Sequence, residues 1–135
     1  MTRPLILRAL AVLALIIMAE MVNGSVRALI LTPRVGDFSA RQISTLSACV
    51  LILLVAWACS PWLGAGTRRA QWAVGLLWVV LMMAFEAGFG RLVAGASWAR
   101  LAADYDLTRG GLLGLGMVWL LCAPRLAHII RQKWP

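Results

Sequence analysis

Two carboxylates interrupt this chain where its neighbours are almost wholly apolar. Glu20 follows eleven residues, Ala9 to Ala19, that contain nothing polar, and Asn23 and Arg27 come after it. Glu86 repeats the arrangement within Ala84-Phe85-Glu86-Ala87-Gly88-Phe89-Gly90-Arg91. Two kinds of chemistry suit such residues. A carboxyl group held away from water can bind a cation or a solute amine, or hold and release a proton, which is how proton-coupled carriers use intramembrane acids. Alternatively, Glu20, Asn23, Arg27, Glu86 and Arg91 form a polar clasp, because helices in lipid associate through hydrogen bonds and close packing rather than through a hydrophobic drive. Both expectations name the same five residues as the binding site.

The elements that carry them are long apolar segments. Of 135 residues, 62% are hydrophobic and 13% charged, whereas about a quarter charged is usual in a soluble domain. Crossing a bilayer core of about 30 Å takes about 20 mostly apolar residues in a helix. Four segments qualify: Leu5 to Leu31, Ile43 to Ala65, Gln71 to Val93 and Gly110 to Ile130. The expected fold is therefore all-α, an integral membrane bundle of four transmembrane helices forming one domain over 1–135. Arg3 and Arg8 before an apolar run, with Gly24-Ser25 beyond it, have the features of a secretory leader. The run stays apolar through Leu31, however, and a span is the expectation.

Glu20 and Glu86 each lie about 22 Å from the start of their helix at 1.5 Å per residue, toward the outer part of the bilayer. Arg27 stands two turns beyond Glu20 on the same face, roughly 10 Å nearer the surface. Arg91 is about 140° round the helix from Glu86, which points it away from a direct pair and toward the other half.

The halves, approximately 1–66 and 67–135, share an order of features. Glu20, Gly24, Arg27, Asp37 and Cys59-Ser60-Pro61 in the first correspond to Glu86, Gly90, Arg91, Asp106 and Cys122-Ala123-Pro124 in the second. Two related hairpins, a 2+2 repeat, would give the glutamates matching depths. Asp37 and Asp106 are expected to cap the second helix of each hairpin. Four small-residue pairs at helical spacing, Ser44/Ala48, Ala84/Gly88, Gly90/Ala94 and Gly110/Gly114, are expected to mark close helix packing, with room for a ligand beside the acids as the alternative. Between the third and fourth spans, Trp98, Leu101 and Tyr105 predict a short amphipathic helix on the outer surface.

Catalysis and metal binding have little raw material. The chain has one histidine, His128, and lacks G-x-S-x-G, C-x-x-C, H-E-x-x-H and any phosphate-cradling glycine loop. Cys49, Cys59 and Cys122 match neither a disulfide framework nor metal-ligand spacing and read as packing residues. Met18, Met21, Met82 and Met83 read as core filler rather than a soft-metal site. No cofactor and no metal are expected, and an enzyme is disfavoured.

The net charge of +8 comes from bases at helix ends, where they meet lipid headgroups, so nucleic acid is not an expected partner. Arg3, Arg8, Arg68, Arg69, Arg125, Arg131 and Lys133 fall on the side of the termini, and Arg27, Arg34, Arg41, Arg91, Arg100 and Arg109 on the other. With Arg27 and Arg91 placed inside helices, the balance favours both termini in the cytoplasm of a bacterial-type inner membrane. In size and span count the chain resembles small multidrug carriers and fluoride channels, a likeness of architecture alone. The expected partners are membrane lipids, a second copy in a homodimer or larger assembly, or a larger membrane complex in which the chain is an accessory subunit. Arg34, Arg100 and Arg109 are candidate contacts to anionic headgroups.

Overall fold

The computed structural model describes residues 3–93, 95, 97–103 and 113–133, the side chains of residues 37, 38, 100, 101, 103 and 113 aside. All regular structure among them is helical: α1 (Arg3–Val35), α2 (Asp37–Leu63), α3 (Arg68–Val93), α4 (Trp98–Ala103) and α5 (Leu113–Lys133). Helices α1, α3 and the apolar part of α2, Ser39–Leu63, are long and apolar enough to cross a membrane. The fourth expected span begins at residues 110–112, outside the described residues; α5 is a 21-residue helix with Arg131 and Lys133 in its last turn, and it is not among those three.

The core follows helical spacing. Ala9, Val12, Leu13 and Ile16 of α1 meet Ile52 and Ala56 of α2, Val74, Trp78 and Met82 of α3, and Met117, Leu120, Ala123 and Ala127 of α5. Helix α5 packs along both α2 and α3, while α1 lies along α2 and touches α3 more lightly. The outward faces are as apolar as the inward ones: Val22, Leu46, Leu29 and Leu92 are between 65% and 87% exposed. Helices that are hydrophobic all round need lipid or protein on every side.

Two local features differ from the sequence expectation. An 11-residue loop was expected after the first span, yet α1 continues through Pro33 to Val35 and a single glycine joins it to α2. Gly36 holds φ +86°, a conformation that residues with a side chain avoid, and this permits so sharp a junction. Gly36 also occupies the N-cap place of α2, with Asp37 as the first helical residue, so Asp37 is not the cap; Asp106 lies outside the described residues. At the other end of α2, Gly64 closes the helix in the left-handed conformation, its N–H donating to the Ser60 carbonyl at 3.3 Å. Thr67 then caps α3 by accepting from the Ala70 N–H at 3.1 Å.

Two π-helical turns interrupt the regular helices, Arg27–Leu31 in α1 and Phe89–Val93 at the end of α3. Such turns insert one residue, rotate the rest of the helix about its axis, and recur at functional sites. The first begins two helical turns after Glu20 and the second one turn after Glu86.

The small-residue pairs mark the interfaces only in part. Ser44 is buried, but Ala84 is exposed, and a Cβ added at Gly88 would meet nothing within 4 Å. Ala94 and Gly110 lie outside the described residues. The close approach is instead at Gly75, where an added Cβ would overlap the Leu121 carbonyl of α5.

Candidate functional site

Helices α1 and α3 start from the same end of the bundle. Glu20 and Glu86 each stand about 26 Å along from Arg3 and Arg68, at 1.5 Å per residue. This equal rise brings them to one level, and their carboxyl groups lie near enough to interact electrostatically. Glu20 is also within electrostatic reach of Cys49 on α2. Its Oε1 is buried and has no hydrogen-bond partner among the described residues.

Asn23, one turn beyond Glu20, serves two neighbours. Its side chain stands beside the Glu20 carboxyl group, and its Nδ2 donates to the Ser44 carbonyl at 3.0 Å and to Ser44 Oγ at 3.1 Å. Ser44 is 5% exposed, so this link between α1 and α2 is shielded from solvent. Trp119 of α5 completes the surroundings by donating from Nε1 to the Cys49 carbonyl at 2.8 Å. All four long helices thus contribute to one polar neighbourhood inside an apolar bundle.

The arginines divide. Arg27 is half-buried and its guanidinium folds back beside Gly24, with Nη2 3.9 Å from the place a Cβ would occupy there. That is the direction of Glu20. Arg91 is exposed and stacks over the Trp98 ring on α4, 4.8 Å from its centre. Of the five expected residues, Glu20 and Glu86 lie within electrostatic range of each other with Asn23 beside Glu20, Arg27 leans the same way, and Arg91 stacks on Trp98 of α4. Of the lipid-facing candidates, Arg34 is exposed on α1, the Arg100 side chain is not described, and Arg109 lies outside the described residues.

Sequence reasoning did not select Cys49 or Trp119 for this neighbourhood, and it assigned Ser44 only to packing. The spacing of Ser44 and Ala48 was the available signal, since a small residue at an interface admits a polar neighbour closely. Nothing in the sequence pairs Trp119 with a carbonyl 70 positions away. A group of three or more histidines, cysteines and acids placed to hold a metal ion does not occur among the described residues. Comparison of the chain with protein-family models, curated proteins and solved structures finds no match.

Proposed function

We propose that the chain is a small integral protein of a bacterial-type inner membrane, with four crossing helices and both termini cytoplasmic, in which Glu20 and Glu86 bind or move a small cationic solute or protons. The observation that carries this reading is that two carboxyl groups from different helices lie within electrostatic range of each other in a largely apolar bundle. Like charges within electrostatic range are costly in a low-dielectric setting, and a bound cation or proton lowers that cost. Three further features support it: the buried, unpartnered Glu20 Oε1, the open space beside Gly88, and the two π turns near the acids.

A 2+2 origin for the site is part of the same proposal. In each half the acid-bearing helix has a π turn near its outer end, followed by a positive-φ glycine, Gly36 or Gly95. The second long helix of each half contains a proline, Pro61 or Pro124. Four helices of this length scarcely enclose a sealed pathway, so the working form is a homodimer or larger assembly.

The test is transport by the full chain in proteoliposomes loaded with a pH-sensitive dye, followed by a panel of small organic cations. Glu20→Gln and Glu86→Gln should each leave a helical, monodisperse protein that has lost flux and cation binding. Unchanged flux in both variants would overturn the proposal.

A second reading is favoured by one set of contacts. The Asn23 to Ser44 link and the Trp78 and Trp119 hydrogen bonds tie helices together, as a clasp in a non-catalytic accessory or assembly subunit would. Loss of folding in both glutamine variants, with a stoichiometric partner co-purifying from mild detergent, would decide for that reading.

A further inference from the structure

At the end of the bundle opposite the glutamates, the turn after α2 and the second half of α5 bound a cleft lined by Ser60, Gly64, Gly66, His128, Arg131 and Gln132. Its surroundings are basic. Arg8 reaches the turn from α1, donating from Nη1 to the Trp62 carbonyl at 3.2 Å. Arg125 donates to Gln71 Oε1 at 3.0 Å, and the buried Gln71 amide in turn donates to the Ala65 carbonyl at 2.9 Å. These bonds hold the turn and two guanidinium groups in fixed relation.

Arg131 is fixed differently. Its guanidinium lies over the face of Trp57, 4.5 Å from the ring centre. Stacking occupies the flat face of the group and leaves its fork of N–H donors at the edge for an anion. Trp57 Nε1 is one more donor with no acceptor among the described residues.

No carboxylate balances this charge among the described residues. The chain has five acids, Glu20, Asp37, Glu86, Asp104 and Asp106. Glu20 and Glu86 are far along their helices, Asp37 begins α2 at its opposite end, and the other two lie outside the described residues. Arg68 and Arg69 in the first turn of α3 and Lys133 in the last turn of α5 add to the excess.

We propose that this cleft holds the phosphate of an anionic lipid headgroup. Phosphate supplies the planar pairs of acceptor oxygens that a guanidinium edge matches. A lipid is the fitting source because the cleft opens at the ends of apolar helices, where headgroups lie, and Trp62, half-exposed beside it, suits the same interfacial layer. Basic pockets between helices on the cytoplasmic side hold anionic headgroups in this way. The site is separate from the glutamates and stands whether or not they bind a cation.

The test is native mass spectrometry of the full chain in mild detergent, titrated with phosphatidylglycerol or with phosphatidylcholine of the same acyl chains. The wild-type protein should retain phosphatidylglycerol with an advantage of at least about five-fold, the scale of one basic residue near a charged surface. Arg131→Gln should remove that advantage, Arg131→Lys should lose much of it because an ammonium has no planar fork of donors, and Arg41→Gln, at the other end, should leave it unchanged. Circular dichroism and elution volume check that each variant is folded. Equal retention of the two lipids by the wild-type protein overturns the proposal without any variant. Inorganic phosphate retained as well as phosphatidylglycerol at equal concentration overturns the lipid assignment.

Discussion

A single nitrogen of Asn23, on α1, donates to both the carbonyl and the hydroxyl oxygen of Ser44, on α2. One turn earlier on the same helix stands Glu20, with its carboxyl group beside the Asn23 side chain. Packing of α1 on α2 is in this way coupled to the position of the acid. Separating structural from functional effects therefore requires variants that act on one and not the other.

Asn23→Ala should lower stability by about 1 kcal/mol, the scale of an interhelical side-chain hydrogen bond in a membrane. Ser44→Ala alone should cost less, since the Ser44 carbonyl still accepts. The double variant should cost less than the sum of the two, because they share one interaction. Reversible unfolding of the detergent-solubilised protein measures all three, and strict additivity would mean that the contact contributes nothing.

Gly75 offers the sharpest packing test. A methyl group there would overlap the Leu121 carbonyl, and backbone cannot step aside as a side-chain end can. Gly75→Ala should destabilise by about 1 to 3 kcal/mol through overpacking at the α3–α5 contact. Gly116→Ala on α5, with nothing within 4 Å of the added atom, should be neutral or gain up to about 1 kcal/mol from helix propensity. A thermal shift series reads the contrast, and equal melting temperatures for the two variants would contradict the close approach.

Much of this architecture was legible in the residues and some was not. The apolar runs pointed to long helices, three of which are long and apolar enough to cross a membrane. The helix boundaries were harder. Residues 32–42 fell outside the expected spans, yet Pro33 sits at the start of the α turn that follows the π turn, where a missing N–H costs little, and one positive-φ glycine joins two helices directly. Cross-chain partners such as Trp119 and Cys49, or Arg125 and Gln71, depend on which helix faces are adjacent, and nearly all-round apolar helices carry little pattern to reveal that. The Ala84/Gly88 spacing misled for the same reason: small residues mark a close contact only when a neighbour is there.

Trp78 is fully buried and donates from Nε1 to the Ala9 carbonyl of α1 at 2.9 Å. Trp78→Phe removes that bond and leaves a void, which together should cost about 2 to 3 kcal/mol. Trp62→Phe, at a half-exposed site, should change stability by less than about 0.5 kcal/mol. Denaturation monitored by far-ultraviolet circular dichroism distinguishes them, and similar losses at both sites would argue against a structural role for the buried indole.

Gln71 is 1% exposed and links Arg125 to the turn before α3. Gln71→Leu keeps the volume but leaves Arg125 and the Ala65 carbonyl without their partner, a loss of about 1 to 3 kcal/mol. Adding Arg125→Leu should recover part of it, since no guanidinium is then left without its acceptor, while the Ala65 carbonyl stays unpaired. A double variant less stable than Gln71→Leu would contradict the bridge.

The pairing of Glu20 with Glu86 can be read by cross-linking. In the full chain with Cys49, Cys59 and Cys122 replaced by serine, Glu20→Cys and Glu86→Cys should be joined within one molecule by a short bifunctional thiol reagent. Both thiols should resist a lipid-soluble maleimide. Free labelling of the two thiols by that maleimide, with no cross-link formed, would mean that the acids face acyl chains separately and that neither a cation site nor a clasp is built from them.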